Sequence, residues 1–237
     1  MSYAMIYKPK KFSDIVISDK YTRDKLDSYI YTENMQPLIL HGKYGVGKTL
    51  ISELLPDAIE RGVANVRKID AAEFRTLGDV QATFGSSNRF YELLASREYI
   101  VSNEINFTKN AAEAFRDEMD KLQKYVQFIF TTNDIDRMDG GIVDRCSVLE
   151  IGVATAADWL PRAKGILAQE AVIIPDDELL LFLDAKLKHE ASHRKLLEAL
   201  GDFVFQFNKK TKSAAKRLVQ SANVIQMPIG RPIITTP

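Results

Sequence analysis

Residues 42–49 read Gly-Lys-Tyr-Gly-Val-Gly-Lys-Thr. Glycine at 42, 45 and 47 lets the backbone wrap tightly, so that successive N–H groups point inward at an anion. Lys48 brings a positive charge that reaches the outer phosphates of a polyphosphate chain, and the Thr49 hydroxyl is a ligand for Mg2+. The flanks fit this phosphate-loop pattern. An apolar stretch, Leu38-Ile39-Leu40, precedes it, and a helical pattern follows whose positive dipole end adds to the anion site. The chemistry implied is binding of a nucleoside triphosphate such as ATP, with Mg2+, by Gly42, Gly45, Val46, Gly47, Lys48 and Thr49.

Hydrolysis needs more. A second apolar run, Tyr99-Ile100-Val101-Ser102, ends in Asn103-Glu104. Glu104 is the candidate base that polarises the attacking water. Asn103 stands where a second carboxylate would hold hydrated Mg2+, and a neutral amide is a poorer partner for that ion. Nucleotide binding is therefore better supported than rapid turnover. A third run, Phe128-Ile129-Phe130-Thr131-Thr132, ends in Asn133, a candidate for positioning the lytic water. Thr-Asn-Asp also makes a good turn or helix cap.

These residues must be brought together by strands and helices. Apolar runs at 38–41, 66–70, 99–103, 126–132 and 148–151 read as strands, and near-continuous apolar runs are expected where helices cover both faces of a parallel sheet. Helical patterns occupy 20–31, 48–61, 77–96 and 108–124, with Pro56 expected to kink or shorten the second. The fold class expected is α/β, a parallel five-stranded sheet flanked by helices, followed by a small helical lid. Strand signals fade after 151. Helices are expected at 158–171, 177–189 and 192–205, then a separate basic one at 212–220 and an extended end at 227–232. The division expected is a nucleotide-binding domain at 1–152, a lid at 153–206 and a basic tail at 207–237.

In this order and spacing the motifs resemble the clamp-loader branch of the AAA+ ATPases, which includes the replication factor C subunits and the bacterial and T-even-phage loaders. The resemblance covers residues 6–205. Residues 6–16, Ile-Tyr-Lys-Pro-Lys-Lys-Phe-Ser-Asp-Ile-Val, are similar to the family's N-terminal box, which implies that Tyr7 and Pro9 lie by the base of the nucleotide. Asp144-Arg145-Cys146 resembles the family's Ser-Arg-Cys motif, with Asp144 in place of serine. It implies that Arg145 acts on the nucleotide of a neighbouring subunit, where positive charge favours phosphoryl transfer. Ser192-His193-Arg194 resembles the second sensor and implies that Arg194 touches the γ-phosphate of its own subunit. The implied partners are like or related AAA+ subunits, a sliding clamp, and primed or double-stranded DNA. Lys109 and Arg116 share one helix face on which DNA backbone could lie, amid a mixed-charge surface. The family's C-terminal helical collar, about 100 residues, has only the short tail as its counterpart. A nucleotide-responsive scaffold with little ATPase activity, or another AAA+ role on DNA such as helicase loading or transposition, are the alternatives.

Composition is consistent with this. The 237 residues carry 32 basic and 32 acidic side chains, yet no acid follows Gln206 while six Lys and Arg do. A neutral whole does not point to strong nonspecific nucleic-acid binding by an isolated subunit, though the basic tail could touch phosphate. No apolar run reaches the roughly 20 residues of a membrane helix, and residues 1–11 hold no secretion-signal core. One cysteine permits no intrachain disulfide, which fits a reducing compartment and a cytoplasmic location. One motif competes: residues 189–193, His-Glu-Ala-Ser-His, fit H-E-x-x-H, a zinc pattern when both histidines share a helix face. No third ligand at a suitable spacing supports it.

Overall fold

The computed structural model describes residues 2–32, 34–70, 76–84, 97–103 and 109–223. The chain opens with α1 (Tyr3–Ile6), a 3-10 turn at Phe12–Asp14 and α2 (Lys20–Tyr31). The Asp19 carboxylate caps α2 by accepting from the Thr22 N–H at 2.8 Å. There follow β1 (Leu38–His41), α3 (Lys48–Ile59), β2 (Val66–Asp70), α4 (Leu77–Phe84), β3 (Glu98–Asn103), α5 (Lys109–Leu122) and β4 (Val126–Thr132). A second 3-10 turn (Ile135–Arg137), the single-turn α6 (Gly140–Val143) and β5 (Ser147–Glu150) complete the first part.

The five strands form one parallel sheet in the order β2-β3-β4-β1-β5. Alternation along each strand divides the core in two. Ile39, Ile100, Phe128 and Phe130 face α4 and α5, where Phe115 meets Phe84, Phe128 and Phe130 in tilted edge contacts. Leu38, Leu40, Val101 and Ile129 face the other way, onto Leu26 and Tyr29 of α2 and Ile51 and Leu55 of α3. Both faces are covered, and the three central strands are accordingly buried almost throughout. α3 continues past Pro56 to Ile59 instead of breaking there. The proline ring is buried, and its packing offsets the one helical hydrogen bond it cannot make.

Three helices follow: α7 (Ala156–Gln169), α8 (Asp176–His189) and α9 (His193–Asn223). Thr155 and Asp158 form a reciprocal capping box at the start of α7. The helices enclose a core of their own, with Trp159, Leu179, Leu183, Leu196, Leu197 and Leu200 at its centre. The two helices expected at 192–205 and 212–220 are one helix of 31 residues, roughly 46 Å long. The polar stretch between them, 208–211, contains no Gly or Pro, and polarity alone does not break a helix. The extended end expected at 227–232, the second half of the helix expected at 77–96, and Glu104 lie outside the described residues. Among the described residues no helix is long and apolar enough to cross a membrane.

Candidate nucleotide site

The parallel register brings the carboxyl ends of three adjacent strands level. His41 of β1 lies beside Thr132 of β4, and Asn103 of β3 lies beside Thr131 of β4. Ligands of open α/β sheets bind at such strand ends. The phosphate loop leaves β1 here. Gly42, Gly45 and Gly47 have φ of 137°, 79° and 103°, values at which any other residue is strained. Gly47 caps α3, so the first N–H groups of that helix, which have no acceptor inside it, face the loop. Val46 is buried as the loop's anchor, and Tyr44 stands 76% exposed at its tip.

Lys48 is buried, and its ammonium donates to the carbonyl oxygens of Gly42 and Lys43 and to Oδ1 of Asn133, each at 2.8 Å. The loop lysine and the residue after β4 thus meet directly. Thr49 is exposed beside them. Asn103 faces two hydroxyls. Thr131 Oγ1 donates to its Oδ1 at 3.2 Å, and Ser52 Oγ, which donates to the Thr49 carbonyl at 2.9 Å, lies 3.4 Å from the same oxygen. Ser52 was not expected in the site, yet four residues after Lys48 it shares that residue's helix face. Val46, Gly47, Lys48, Thr49, Asn103 and Asn133 therefore gather at one edge of the sheet, and the loop's residues fit a polyphosphate: left-handed glycines, the first N–H groups of a helix and a buried ammonium lie together on it.

The lid closes over this loop. The His193 N–H donates to the Gly45 carbonyl at 3.0 Å. Ser192 packs so tightly on Gly45 that a Cβ there would stand 2.5 Å from Ser192 Oγ. Arg194 is exposed in the first turn of α9 and has no polar partner among the described residues. Tyr7 lies against the lid: its hydroxyl donates to Glu170 at 2.6 Å, and its carbonyl accepts from Arg162 at 2.9 Å. Burial and the neighbouring Glu170 push the Tyr7 hydroxyl up to about 12. Pro9 follows, half-buried.

Arg145 is held within its own chain. It grips Asp120 of α5 with two bonds, at 2.9 and 2.8 Å, and donates to the Gly141 carbonyl at 2.8 Å. One turn earlier on α5, Arg116 pairs with Asp139, the N-cap of α6, at 2.8 Å. Arg116 is thus committed to α6. Cys146 is buried, and burial pushes its thiol up to about 12, where it is inert.

The H-E-x-x-H reading fails on geometry. α8 ends at His189, Glu190 is extended (φ −150°, ψ 109°), and α9 begins at His193, so the two histidines lie on different helices. Among the described residues no group of three His, Cys, Asp or Glu side chains is arranged to hold a metal ion.

His193 carries no role of its own in the sequence, neither in that motif nor in the segment that resembles the second sensor. Its ring sits edge-on to Trp159, the single tryptophan, at 5.1 Å, and burial pushes its pKa down to about 4. An unfolded chain takes up this proton near pH 6.5, and the folded chain only near 4. The stability that a neutral His193 contributes is therefore complete above about pH 6.5 and is lost as pH falls toward 4, on the order of 3 kcal/mol in all. Thermal midpoints measured across this window are expected to fall more steeply for the wild type than for His193→Phe. Equal slopes would mean that the ring titrates normally.

A parallel sheet in this order, with a phosphate loop after β1 and a helical lid behind it, is the architecture of the AAA+ ATPases, and the chain carries a domain of that family. Residues 38–152 match the model of the ATPase family associated with various cellular activities, AAA. The curated relatives the chain is similar to are replication factor C subunits. It is similar to a replication factor C small subunit of Methanosphaera stadtmanae, 25% identical over 169 residues, covering 70% of this chain and 52% of that protein. It is also similar to replication factor C subunit 4 of Saccharomyces cerevisiae, 26% identical over 178 residues, covering 73% and 55%. The chain thus spans about half the length of these relatives. Among solved structures, the fold is similar to the Holliday junction branch migration motor RuvB of Thermotoga maritima, with a TM-score of 0.63 at 16% identity, covering 81% of this chain and 63% of that one.

Proposed function

We propose that this chain is a clamp-loader-like subunit that binds ATP with Mg2+, assembles with like or related AAA+ subunits, and uses nucleotide-driven closure to open a sliding clamp and load it on primed DNA. In this reading residues 1–152 bind the nucleotide, 153–206 form the lid and 207–237 a basic tail. The observation that carries the nucleotide part is the meeting of Lys48 with Asn133 at the strand ends, 2.8 Å apart and beside Asn103. The names of the curated relatives support the loader part.

Lys48 neutralises and orients the outer phosphates, and Thr49 ligates Mg2+, which when bound spreads the charge developed in phosphoryl transfer. Glu104 takes the proton of the attacking water, and Asn133 orients that water. Arg145 acts on the neighbouring subunit's nucleotide, and leaving Asp120 costs about 1 kcal/mol or less at a surface ion pair. Arg194 reaches the γ-phosphate from the lid, and Tyr7 and Pro9 border the base.

Asn103 favours a second reading, a nucleotide-binding subunit that hydrolyses slowly. Its amide oxygen faces Ser52 and Thr131. An aspartate can keep those contacts with one oxygen and offer the other, with charge, to the water shell of Mg2+. Steady-state ATP hydrolysis, with and without primed DNA, separates the readings. Asn103→Asp is expected to raise turnover by roughly tenfold or more, and Glu104→Gln to abolish it. A wild type that turns over briskly and gains nothing from Asn103→Asp would remove the slow-subunit reading. Hydrolysis undiminished in Glu104→Gln would remove the assigned base.

A further inference from the structure

We propose that His193 is a nucleotide-binding residue whose imidazole donates a hydrogen bond to the phosphate chain from the lid side of the loop. The inference rests on the reading of residues 42–49 as a site for a nucleoside di- or triphosphate. The backbone of His193 is tied to that loop by its bond to the Gly45 carbonyl at 3.0 Å. A Cβ on Gly45 would stand 2.5 Å from Ser192 Oγ, so glycine there is what lets the segment entering α9 approach the loop. The ring is aimed at the loop as well. Its Nδ1 is the nearest atom to a Cβ placed on Gly47, at 3.8 Å, and Gly47 is the glycine that opens α3.

The other ring nitrogen, Nε2, is buried and makes no hydrogen bond. Because Nε2 is enclosed, no ligand reaches it, and the donor that a phosphate can meet is an N–H on Nδ1, the nitrogen that faces the loop. Trp159 blocks the ring on one side, so the imidazole cannot turn outward to water without breaking that contact. Burial keeps the ring neutral at pH 7, so it offers one N–H donor and no fixed charge. A phosphate oxygen held by Lys48 and the N–H groups of α3 is the acceptor that chemistry supplies here. His193 would then couple phosphate occupancy to the lid through the same residue that bonds Gly45.

The test is calorimetric titration of the full chain with Mg·ATP. His193→Phe keeps a flat ring against Trp159 and removes the donor, and is expected to weaken binding about tenfold. His193→Gln keeps an N–H donor and is expected to return to within about threefold of wild type. Equal losses in both variants would assign His193 to packing alone and overturn the proposal, as would wild-type affinity in His193→Phe. Lys48→Ala is the control. If the wild type itself binds no Mg·ATP, the phosphate reading fails. If the wild type binds, Lys48→Ala does not and His193→Phe does, only the role of His193 falls. The contact also has a readout without substitution. The chain has three histidines, and the ring resonances of His193 are expected to shift on adding Mg·ATP; unmoved resonances would overturn it.

Discussion

Lys48→Ala is expected to lose affinity for Mg·ATP by on the order of a hundredfold, the range seen when one member of a buried charge pair is truncated. The reason lies in where the ammonium sits. It is 7% exposed and gathered by the carbonyls of Gly42 and Lys43 and by Asn133, so its charge is held at the mouth of the loop and is little screened by water. The fold itself should change little, because none of the three residues that supply the acceptors, Gly42, Lys43 and Asn133, is fully buried, and water can replace the lost donor. Nucleotide protection separates the two effects. Saturating Mg·ATP at about a hundred times its Kd stabilises a chain that binds it by about 2.7 kcal/mol, and thermal unfolding should show this rise for the wild type and not for Lys48→Ala. A variant protected as well as the wild type would mean that residues 42–49 are an ordinary glycine-rich turn.

Much of this site is legible in the chain because its residues are local. Gly42 to Thr49 lie on one turn, and Asn103 and Asn133 each end an apolar run, so strand periodicity alone puts them at one edge of a parallel sheet. Ser52 was equally readable, since four residues on a helix return to the same face. What did not show is tertiary. The partner of Arg145 is Asp120, twenty-five residues away on α5, and no spacing pattern announces it. His193 was masked by a better-known pattern: a sequence match to H-E-x-x-H carries no sign that the chain leaves the helix at Glu190. The long α9 differs from the two helices expected because a polar stretch without Gly or Pro does not break a helix.

Gly42→Ala should be the most damaging single methyl group in the site, lowering stability on the order of 3 kcal/mol. Two independent terms act there. With φ at 137° the backbone is in a region that L side chains rarely adopt, and an added Cβ would stand 2.5 Å from the carbonyl oxygen of Ile151 and 3.4 Å from its carbon. Those are backbone atoms, and they cannot yield cheaply. The Ile151 N–H donates to the His41 carbonyl at 2.7 Å, just beyond the pairing of β1 with β5, so relieving the clash breaks the bond that closes the sheet beside the loop. Gly45→Ala differs in kind, since its Cβ meets the Ser192 side chain on the lid; its effect should fall on the lid's contact with the loop more than on the sheet. Gly165, inside α7 with nothing within 4 Å of an added Cβ, is the counter-case, and Gly165→Ala should gain up to about 1 kcal/mol of helix propensity. Thermal midpoints of the three variants give the order directly. For a chain of this size Gly42→Ala should fall by roughly 10 °C while Gly165→Ala rises. A Gly42→Ala protein as stable as the wild type would show that the strand end can retreat from the loop, and with it that the cradle for the phosphates is less rigid than its glycines imply.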